Sequence, residues 1–376
     1  DLDPNDFAGL KKFILKNKID LIIVGPEKPL VDGIVDFLEK NKIKVFGPNK
    51  IASQLEGSKI FTKNLCKKYK IPTADFGIFQ NIEESYEFLN KCKMPIVIKA
   101  DGLAAGKGVY ICENKDQAKT AIREIFNGKF GKANSVLIEE FLKGDEMSFF
   151  IISDGKSFKK FGTAQDHKRV NEGDKGKNTG GMGAYSPSGF ENELLNNKVL
   201  EKIIKPTLTA INDLKTEFKG FLYAGLMIVN DEPFLIEYNV RMGDPECQTI
   251  LPRLETDLLE IFIACIDQNL ISKNIEWSND KSLCVVLCSN GYPESYKNGI
   301  EIKNLKNLSL NNNEFIFHAG TKVHESKILS NGGRVLNFTV KSNNFKNSRN
   351  RALNLIKELN WENGYHRKDI GFKIID

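Results

Sequence analysis

Hydrophobic and polar positions alternate in two rhythms along this chain. "DFAGLKKFILKNK" (6–18) carries apolar residues at helical spacing, and "IDLIIVG" (19–25) is a short apolar run halted at Gly25-Pro26. "PLVDGIVDFLEKNK" (29–42) is helical again, and "IKVFGP" (43–48) is a second short run ending at Gly47-Pro48. Helix, strand, helix, strand is the grammar of a parallel α/β unit. Such sheets bind ligands beyond the carboxyl ends of their strands, so both Gly-Pro turns are expected to face a site, with Glu27 directly after the first.

Beyond residue 71 the elements shorten and mix. Strands are predicted at "PIVIKA", "GVYIC", "SVLIEEFL" and "MSFFIISDG", with a helix at "DQAKTAIREIF". A Gly- and charge-rich stretch, 162–189, reads as a loop; a helix near 191–215 and the strands "FLYAGLMIVN" and "PFLIEYNV" follow. Past about residue 270, "KSLCVVLCS", "FIFHAGTKV" and "RVLNFTVKS" read as strands and "SRNRALNLIKELN" as a closing helix. No internal repeat and no long disordered segment is found. The expected class is α/β and α+β multidomain: an N-terminal parallel α/β domain at 1–60, a central domain at 61–268 and a small C-terminal α+β domain at 269–376.

Composition narrows the class. With 376 residues, 41% of them hydrophobic and 27% charged, the chain has the balance of a soluble globular protein of two or three domains. No apolar run approaches the ~18 residues of a membrane helix, and "DLDPNDFAGLKKF" has no apolar secretory segment. Seven cysteines include no C-x-x-C pair; Cys284 and Cys288 sit in an apolar strand, which suits core thiols and a reducing cytoplasm. The net charge of +5 is scattered, and "CKKYK" (66–70) has no aromatic or Gly-rich recognition pattern beside it, so a solvated helix face is expected rather than a nucleic-acid site.

"KADGLAAGKGV" (99–109) resembles a phosphate loop without matching either common form. Gly102 to the Gly106-Lys107 pair is one residue short of G-x-x-x-x-G-K-[ST], and Gly108 stands where a magnesium-binding hydroxyl belongs. G-x-G-x-x-G fails at Ile111. Alternation puts Lys99 with Val97 at the end of a buried strand, where an ammonium and a glycine turn together suit phosphate oxygens. On "FLIEYNVRMGDPE" alternation puts Leu235, Glu237, Asn239 and Arg241 on one face. Glu and Asn oxygens two positions apart are hard ligands for Mg²⁺ held between protein and phosphates, and Arg241 could clamp a transferring phosphoryl group. In "TAQDHKRVNEGDKGKNTGGMGAYSP" (163–187), Asp166, His167, Lys168 and Arg169 precede a Gly-rich turn and read as an anion site. "DFG" at 75–77 and "HRKD" at 366–369 stand in the wrong order around Lys99 for a kinase.

Taken together, the chain resembles the ATP-grasp superfamily and, within it, the glycinamide ribonucleotide synthetase family. The stretches that carry this include "GPEKPLVDGI", "FGPNKIASQLEGSKIFTKN", "PIVIKADGLAAGKGV", "QDHKRVNEGDKGKNTGGMGAYSP", "IEYNVRMGDPE", "NGGRVLN" and "RKDIG". The resemblance runs from about residue 20 to the C-terminus. It implies an ATP-grasp fold whose mobile lid spans about 73–142, with "KADGLAAGKGV" as the loop that closes over the triphosphate. It also implies ATP-dependent ligation of glycine to 5-phosphoribosylamine through glycyl phosphate, a step of de novo purine synthesis. The implied enzyme is a cytoplasmic monomer that needs no nucleic acid or membrane. Lys59 and Lys99 resemble phosphate-binding lysines, with Gly106, Lys107 and Gly108 in the closing loop. Glu139, Glu140, Phe141 and Leu142 match the stretch that holds adenine, and Glu146 fits a ribose-binding acid. Glu237 and Asn239 match ligands of Mg²⁺ or Mn²⁺. Gly25, Pro26, Glu27, Asp166, His167, Lys168, Asn178, Thr179, Gly180 and Gly181 fall where the two substrates bind. Arg241, Lys107 and Asp244 are the expected catalytic groups, Asp244 holding the glycine ammonium. The family opens with a strand and a turn of the type G-N-G-G-R-E-H; this chain starts after it and does not begin with Met, so an N-terminally incomplete chain is expected, short of part of its sugar-phosphate cradle. Two other readings stay open here: a related ligase with a different acid or amine, and nucleotide binding without turnover.

Overall fold

Polar caps set where the helices start. The side chains of Asp6, Ser58, Asn81, Asn114, Asn192 and Asn344 each accept a hydrogen bond from a backbone N–H in the first turn of the helix that follows. Each satisfies a donor that the helix itself cannot. The computed structural model describes residues 2–103, 108–131 and 134–375. They form two compact units, each assembled from separated stretches: Asp1–Phe161, Asn192–Met242 and Leu259–Lys273 in the first; Gly162–Glu191, Gly243–Leu258 and Asn274–Asp376 in the second.

The first unit opens with the expected parallel pair, Ile22–Ile23 beside Val45–Phe46. Its second helical stretch is broken in two, Glu27–Asp32 and Ile34–Lys40, because Gly33 takes φ +98° and ends the first piece in a left-handed cap. A four-stranded antiparallel sheet follows in the order Phe76–Phe79, Val136–Glu140, Ile96–Ala100, Val109–Cys112. Ile96, Ile98 and Ala100 pack with Ala118, Ile122 and Ile125 of the helix Lys115–Phe126. Strand alternation therefore turns Val97 and Lys99 to the other face, as the pattern predicts. Asp145–Asp154, Lys219–Val229 and Glu232–Asn239 run antiparallel beside one another. Phe46 meets Phe221 at 5.3 Å and Phe262 at 4.7 Å between ring centroids, and Phe161 meets Phe221 at 4.9 Å. This aromatic cluster ties the parallel pair to the long strands.

The second unit is built on Lys281–Ser289, which pairs with Gly183–Ser186 on one side and Arg334–Ser342 on the other. Glu314–His318 extends the sheet, and the helix Phe345–Leu359 buries Leu355, Ile356 and Leu359 in its core. The expected loop at 162–189 is corrected. Its residues continue the strand Phe158–Asp166, form the hairpin Arg169–Asn171 and Lys175–Asn178, and return as Gly183–Ser186. The hairpin turns a single apolar side chain, Val170, to the core, too few for a periodicity to reveal it. Its turn is made by Gly173 at φ +67° and Asp174 at φ +53°. The helix near 191–215 is three pieces, Glu193–Val199, a five-residue π segment Leu200–Ile204, and Lys205–Asp213.

Among the described residues no helix is long and apolar enough to cross a membrane. All seven cysteines are unpaired, and burial pushes the Cys284 and Cys288 thiols up to about 12. Truncating Phe221 to Ala removes the hub of the aromatic cluster and is expected to lower stability by about 3–5 kcal/mol. Truncating the exposed Ile271 to Ala is expected to stay within about 0.5 kcal/mol. Urea denaturation of the two variants beside the parent chain measures the difference.

Candidate active site

The residues after the strand Ile96–Ala100 are fastened to the start of the helix Lys59–Tyr69. Asp101 Oδ1 accepts from Ser58 Oγ at 3.1 Å and from the Ile60 N–H at 3.2 Å. Lys59 Nζ donates to the Gly102 carbonyl at 2.9 Å. Burial pulls the Lys59 amine down, and the nearby Glu237 carboxylate opposes that shift. Lys99, 4% exposed, reaches Glu139 Oε2 at 3.0 Å and the Ile236 carbonyl at 3.4 Å. Sequence reasoning missed the second lysine on that oxygen: Lys63 Nζ lies 3.2 Å from Glu139 Oε2. Gly106 and Lys107 lie outside the described residues; the Gly108 carbonyl accepts from the Ala100 N–H at 2.8 Å.

A β-bulge decides what the strand Glu232–Asn239 presents. Gly225 pairs with Glu237, and the next residue, Leu226, pairs with Leu235, so Ile236 is extra. The alternation shifts by one there. Pro233 and Leu235 are buried before the bulge, Tyr238 and Val240 after it. The predicted four-residue face is therefore corrected: Leu235 belongs to the buried side, while Glu237, Asn239 and Arg241 stay together on the other. Neither the Glu237 nor the Asn239 side chain has a hydrogen-bond or ion-pair partner among the described residues. No cluster of three or more His, Cys, Asp or Glu that could hold a metal is found among those residues. Two half-buried oxygen donors with spare lone pairs fit a hard divalent cation that completes its shell with phosphates and water.

Arg241 closes this face. Its Nη2 donates to Glu56 Oε1 at 2.8 Å, its Nε lies 3.3 Å from Glu27 Oε2, and Glu56 Oε2 accepts from the Val240 N–H at 2.8 Å. Burial pushes the Glu56 carboxyl up, with Arg241 opposing it. The Gly25-Pro26 turn thus delivers Glu27, the first residue of its helix, to the end of the bulged strand. Glu140 and Glu146 are exposed, while Phe141 and Leu142 are half-buried after the strand that carries Glu139.

The remaining predicted residues lie in the second unit. Arg334, quoted in "NGGRVLN" but given no role, is their centre. Its Nη1 donates to the Gly180 carbonyl at 2.8 Å and the Asp244 carbonyl at 2.6 Å, and its Nη2 to Asp244 Oδ2 at 2.7 Å. The Lys168 carbonyl accepts from the Thr179 N–H at 2.7 Å, and Thr179 Oγ1 from the Gly181 N–H at 3.0 Å. Gly181 has φ +116°, and a Cβ there would stand 2.6 Å from Pro245 Cδ, so only glycine fits. Asn178 is exposed and Asp166 half-buried.

The His167 ring is engaged elsewhere in the same unit. It is 2% exposed, and both ring nitrogens are occupied. Nε2 accepts from the Gly371 N–H at 2.9 Å, which puts the proton on Nδ1, 3.1 Å from Asp174 Oδ1. Arg367, wholly buried, donates to Asp174 at 2.7 Å and forks onto Asp369. Burial pulls the His167 ring down, against the pull of Asp174. Burial alone would raise Asp174, yet hydrogen bonds from His167 and Arg367 hold it well below the usual carboxylate range.

Family models described as the N domain, the ATP-grasp (A) domain and the C domain of phosphoribosylglycinamide synthetase match residues 1–56, 57–247 and 282–373. The chain belongs to the phosphoribosylglycinamide synthetase family. It is 43% identical over 377 residues to the phosphoribosylamine–glycine ligase of Brucella melitensis, an alignment covering 100% of this chain and 88% of that one. The chloroplastic ligase of Arabidopsis thaliana is 44% identical over 381 residues, 100% of this chain and 72% of that one. The crystal structure of the Thermotoga maritima phosphoribosylamine–glycine ligase superposes with a TM-score of 0.83 at 33% identity, covering 96% of this chain and 88% of that one. A biotin carboxylase from Campylobacter jejuni, described as a beta-gamma-ATP complex, shares the ATP-grasp fold with a TM-score of 0.72 at 14% identity over 94% of this chain and 78% of that one.

The pH behaviour of the buried histidine is testable. An unfolded histidine titrates near about 6.5. Because the folded ring resists protonation, its contribution is complete above that value and is lost as the pH falls below it. The unfolding midpoint of the parent chain is expected to drop between pH 7.5 and 5.5, and His167→Gln to flatten part of that drop. Thermal melts of both proteins at the two pH values would show equal slopes if the ring were free to ionise.

Proposed function

We propose that this chain joins glycine to 5-phosphoribosylamine with ATP, giving glycinamide ribonucleotide, ADP and phosphate. The observation that carries the reading is the bulged strand, which turns Glu237, Asn239 and Arg241 to one face with Lys59 and Lys99 beside it, within a chain matched along its length by one ligase family. A carboxylate oxygen of glycine attacks the γ-phosphorus and ADP leaves. The ribosyl amine then attacks the carbonyl carbon of glycyl phosphate, the amide C–N bond forms, the C–O bond to phosphate breaks, and the nitrogen loses a proton. Phosphorylation comes first because an unactivated carboxylate oxygen is a poor leaving group.

Glu237 and Asn239 would hold Mg²⁺ or Mn²⁺, which supplies charge neutralisation at the phosphate oxygens. Lys59, Lys99 and the Lys107 loop hold the triphosphate. Glu139–Leu142 take the adenine and Glu146 the ribose. Arg241, kept in place by Glu27 and Glu56, stabilises charge on the phosphoryl group in flight. Gly25, Pro26 and Glu27 are the substrate-binding residues assigned to the first unit; Asp166, Lys168, Asn178, Thr179, Gly180 and Gly181 are those assigned to the second, where Asp244 receives the glycine ammonium. Catalysis is positioning and electrostatics, with no covalent nucleophile. The lid at 73–142 keeps water from the acyl phosphate. The division at 60 and 268, a monomeric state and a cytoplasmic setting complete the proposal.

ADP release is the direct test. With Mg-ATP the purified chain is expected to release ADP only when glycine and freshly generated phosphoribosylamine are both present. Release that ignores either substrate would contradict the assignment. Glu237→Gln is expected to raise the half-saturating Mg²⁺ concentration about tenfold or more, and Arg241→Met to cut kcat about 10²–10³-fold. Magnesium titrations and initial rates measure both.

A further inference from the structure

Lys63 has no task in the chemistry above, yet it is 3% exposed on the inner side of its helix. Burying an ammonium is costly unless it is paired and hydrogen-bonded. Its partners are specific. Nζ lies 3.2 Å from Glu139 Oε2, donates to Thr73 Oγ1 at 2.6 Å, and stands 5.3 Å from the centroid of the Phe76 ring. Thr73 Oγ1 in turn donates to the Leu235 carbonyl at 2.6 Å, next to the bulge. Phe76 is the cross-strand partner of Glu139.

Both lysines contact the same carboxylate oxygen. Oε2 of Glu139 takes Lys63 and Lys99, while Oε1 is buried with no hydrogen-bond partner among the described residues. A carboxylate flanked by two ammonium groups accepts hydrogen bonds and donates none. A buried acceptor left open in this way discriminates by hydrogen-bond sense. An amino group opposite it is satisfied, whereas a carbonyl leaves two acceptors facing each other. Lys99 stands slightly nearer that oxygen, at 3.0 Å, and also reaches the Ile236 carbonyl at 3.4 Å; Lys63 adds the second ammonium at 3.2 Å and fixes it through Thr73.

We propose that Lys63 is a positioning residue for nucleobase selectivity: by holding Oε2 of Glu139, it presents Oε1 to the exocyclic amine of an aminopurine nucleotide and disfavours 6-oxopurines. The inference rests on the reading that the Glu139–Leu142 stretch holds the base. A lysine that merely filled the core would affect all nucleotides alike.

The test is steady-state kinetics of the full chain with glycine and phosphoribosylamine, comparing ATP with inosine triphosphate, in the parent protein, Lys63→Met, Lys63→Arg and Glu139→Gln. The parent is expected to favour ATP. Lys63→Met is expected to lower the ATP-to-ITP ratio of kcat/KM about tenfold or more, the loss falling on the KM for ATP rather than on kcat. Lys63→Arg keeps the cation and is expected to keep most of the ratio. Should Lys63→Met fail to fold, Lys63→Gln, which loses the charge but keeps a polar side chain, takes its place beside Glu139→Gln with the same expected loss of the ratio. A ratio that survives in Glu139→Gln overturns the placement of the base, and the inference with it. A ratio that collapses in Glu139→Gln but survives in Lys63→Met overturns the role of Lys63 alone. Equal losses for both nucleotides, or a loss confined to kcat, would make Lys63 structural only.

Discussion

The first unit of this protein turns on one buried carboxylate. Glu139 is 3% exposed and receives Lys63 and Lys99 on a single oxygen, so three ionisable groups are withdrawn from water together. Such an arrangement holds only while every member is present; removing one partner of a buried pair costs about 3–5 kcal/mol, because the other charge is then stranded. Its reach is what matters for the site. Lys99 continues to the Ile236 carbonyl and Lys63, through Thr73, to the Leu235 carbonyl. The strand that carries Glu139 is thereby tied to the strand that carries Glu237 and Asn239.

The bulge at Ile236 is the second half of that arrangement. Without the extra residue, Glu237, Asn239 and Arg241 would follow the phase of Pro233 and Leu235 into the core. With it, three polar side chains emerge from a strand that stays anchored by Tyr238 and Val240. Charge is then graded along the face. Ammonium groups of Lys59 and Lys99 stand toward the glycine turn, two oxygen donors follow, and the Arg241 guanidinium is braced by Glu27 and Glu56 at the far end. A chain of phosphates bridged by a divalent cation matches that sequence of charges. The helix start, the glycine turn and the bulged strand are each set by local chemistry, through the Ser58 cap, the Asp101 hydrogen bonds and the register of the long strands.

Much of this was legible in the sequence. The parallel pair, the antiparallel sheet and the apolar strands of the second unit follow from periodicity. Lys99, Glu237, Asn239 and Arg241 stand out as polar residues on strands that otherwise bury. What periodicity could not show is equally specific. A bulge inserts a residue without changing the composition, so Leu235 was placed on the wrong face. The hairpin Arg169–Asn171 and Lys175–Asn178 has polar residues on both sides and reads as loop. His167 stands in a run of charge, but its environment is made by Asp174, Arg367 and Gly371, the last two some 200 residues away. Lys63 looks like any helix-surface lysine until Glu139 and Thr73 are placed around it, and Arg334 gains meaning only beside Asp244 and Gly180.

The central claim, that glycine is activated by phosphorylation on its own carboxylate, has a direct isotopic test. Turnover with ATP, phosphoribosylamine and glycine carrying ¹⁸O in both carboxylate positions is expected to leave one ¹⁸O in each inorganic phosphate released and one in the amide product. Phosphate free of label, with ADP still formed, would show that water rather than glycine takes the phosphoryl group, and would contradict the account.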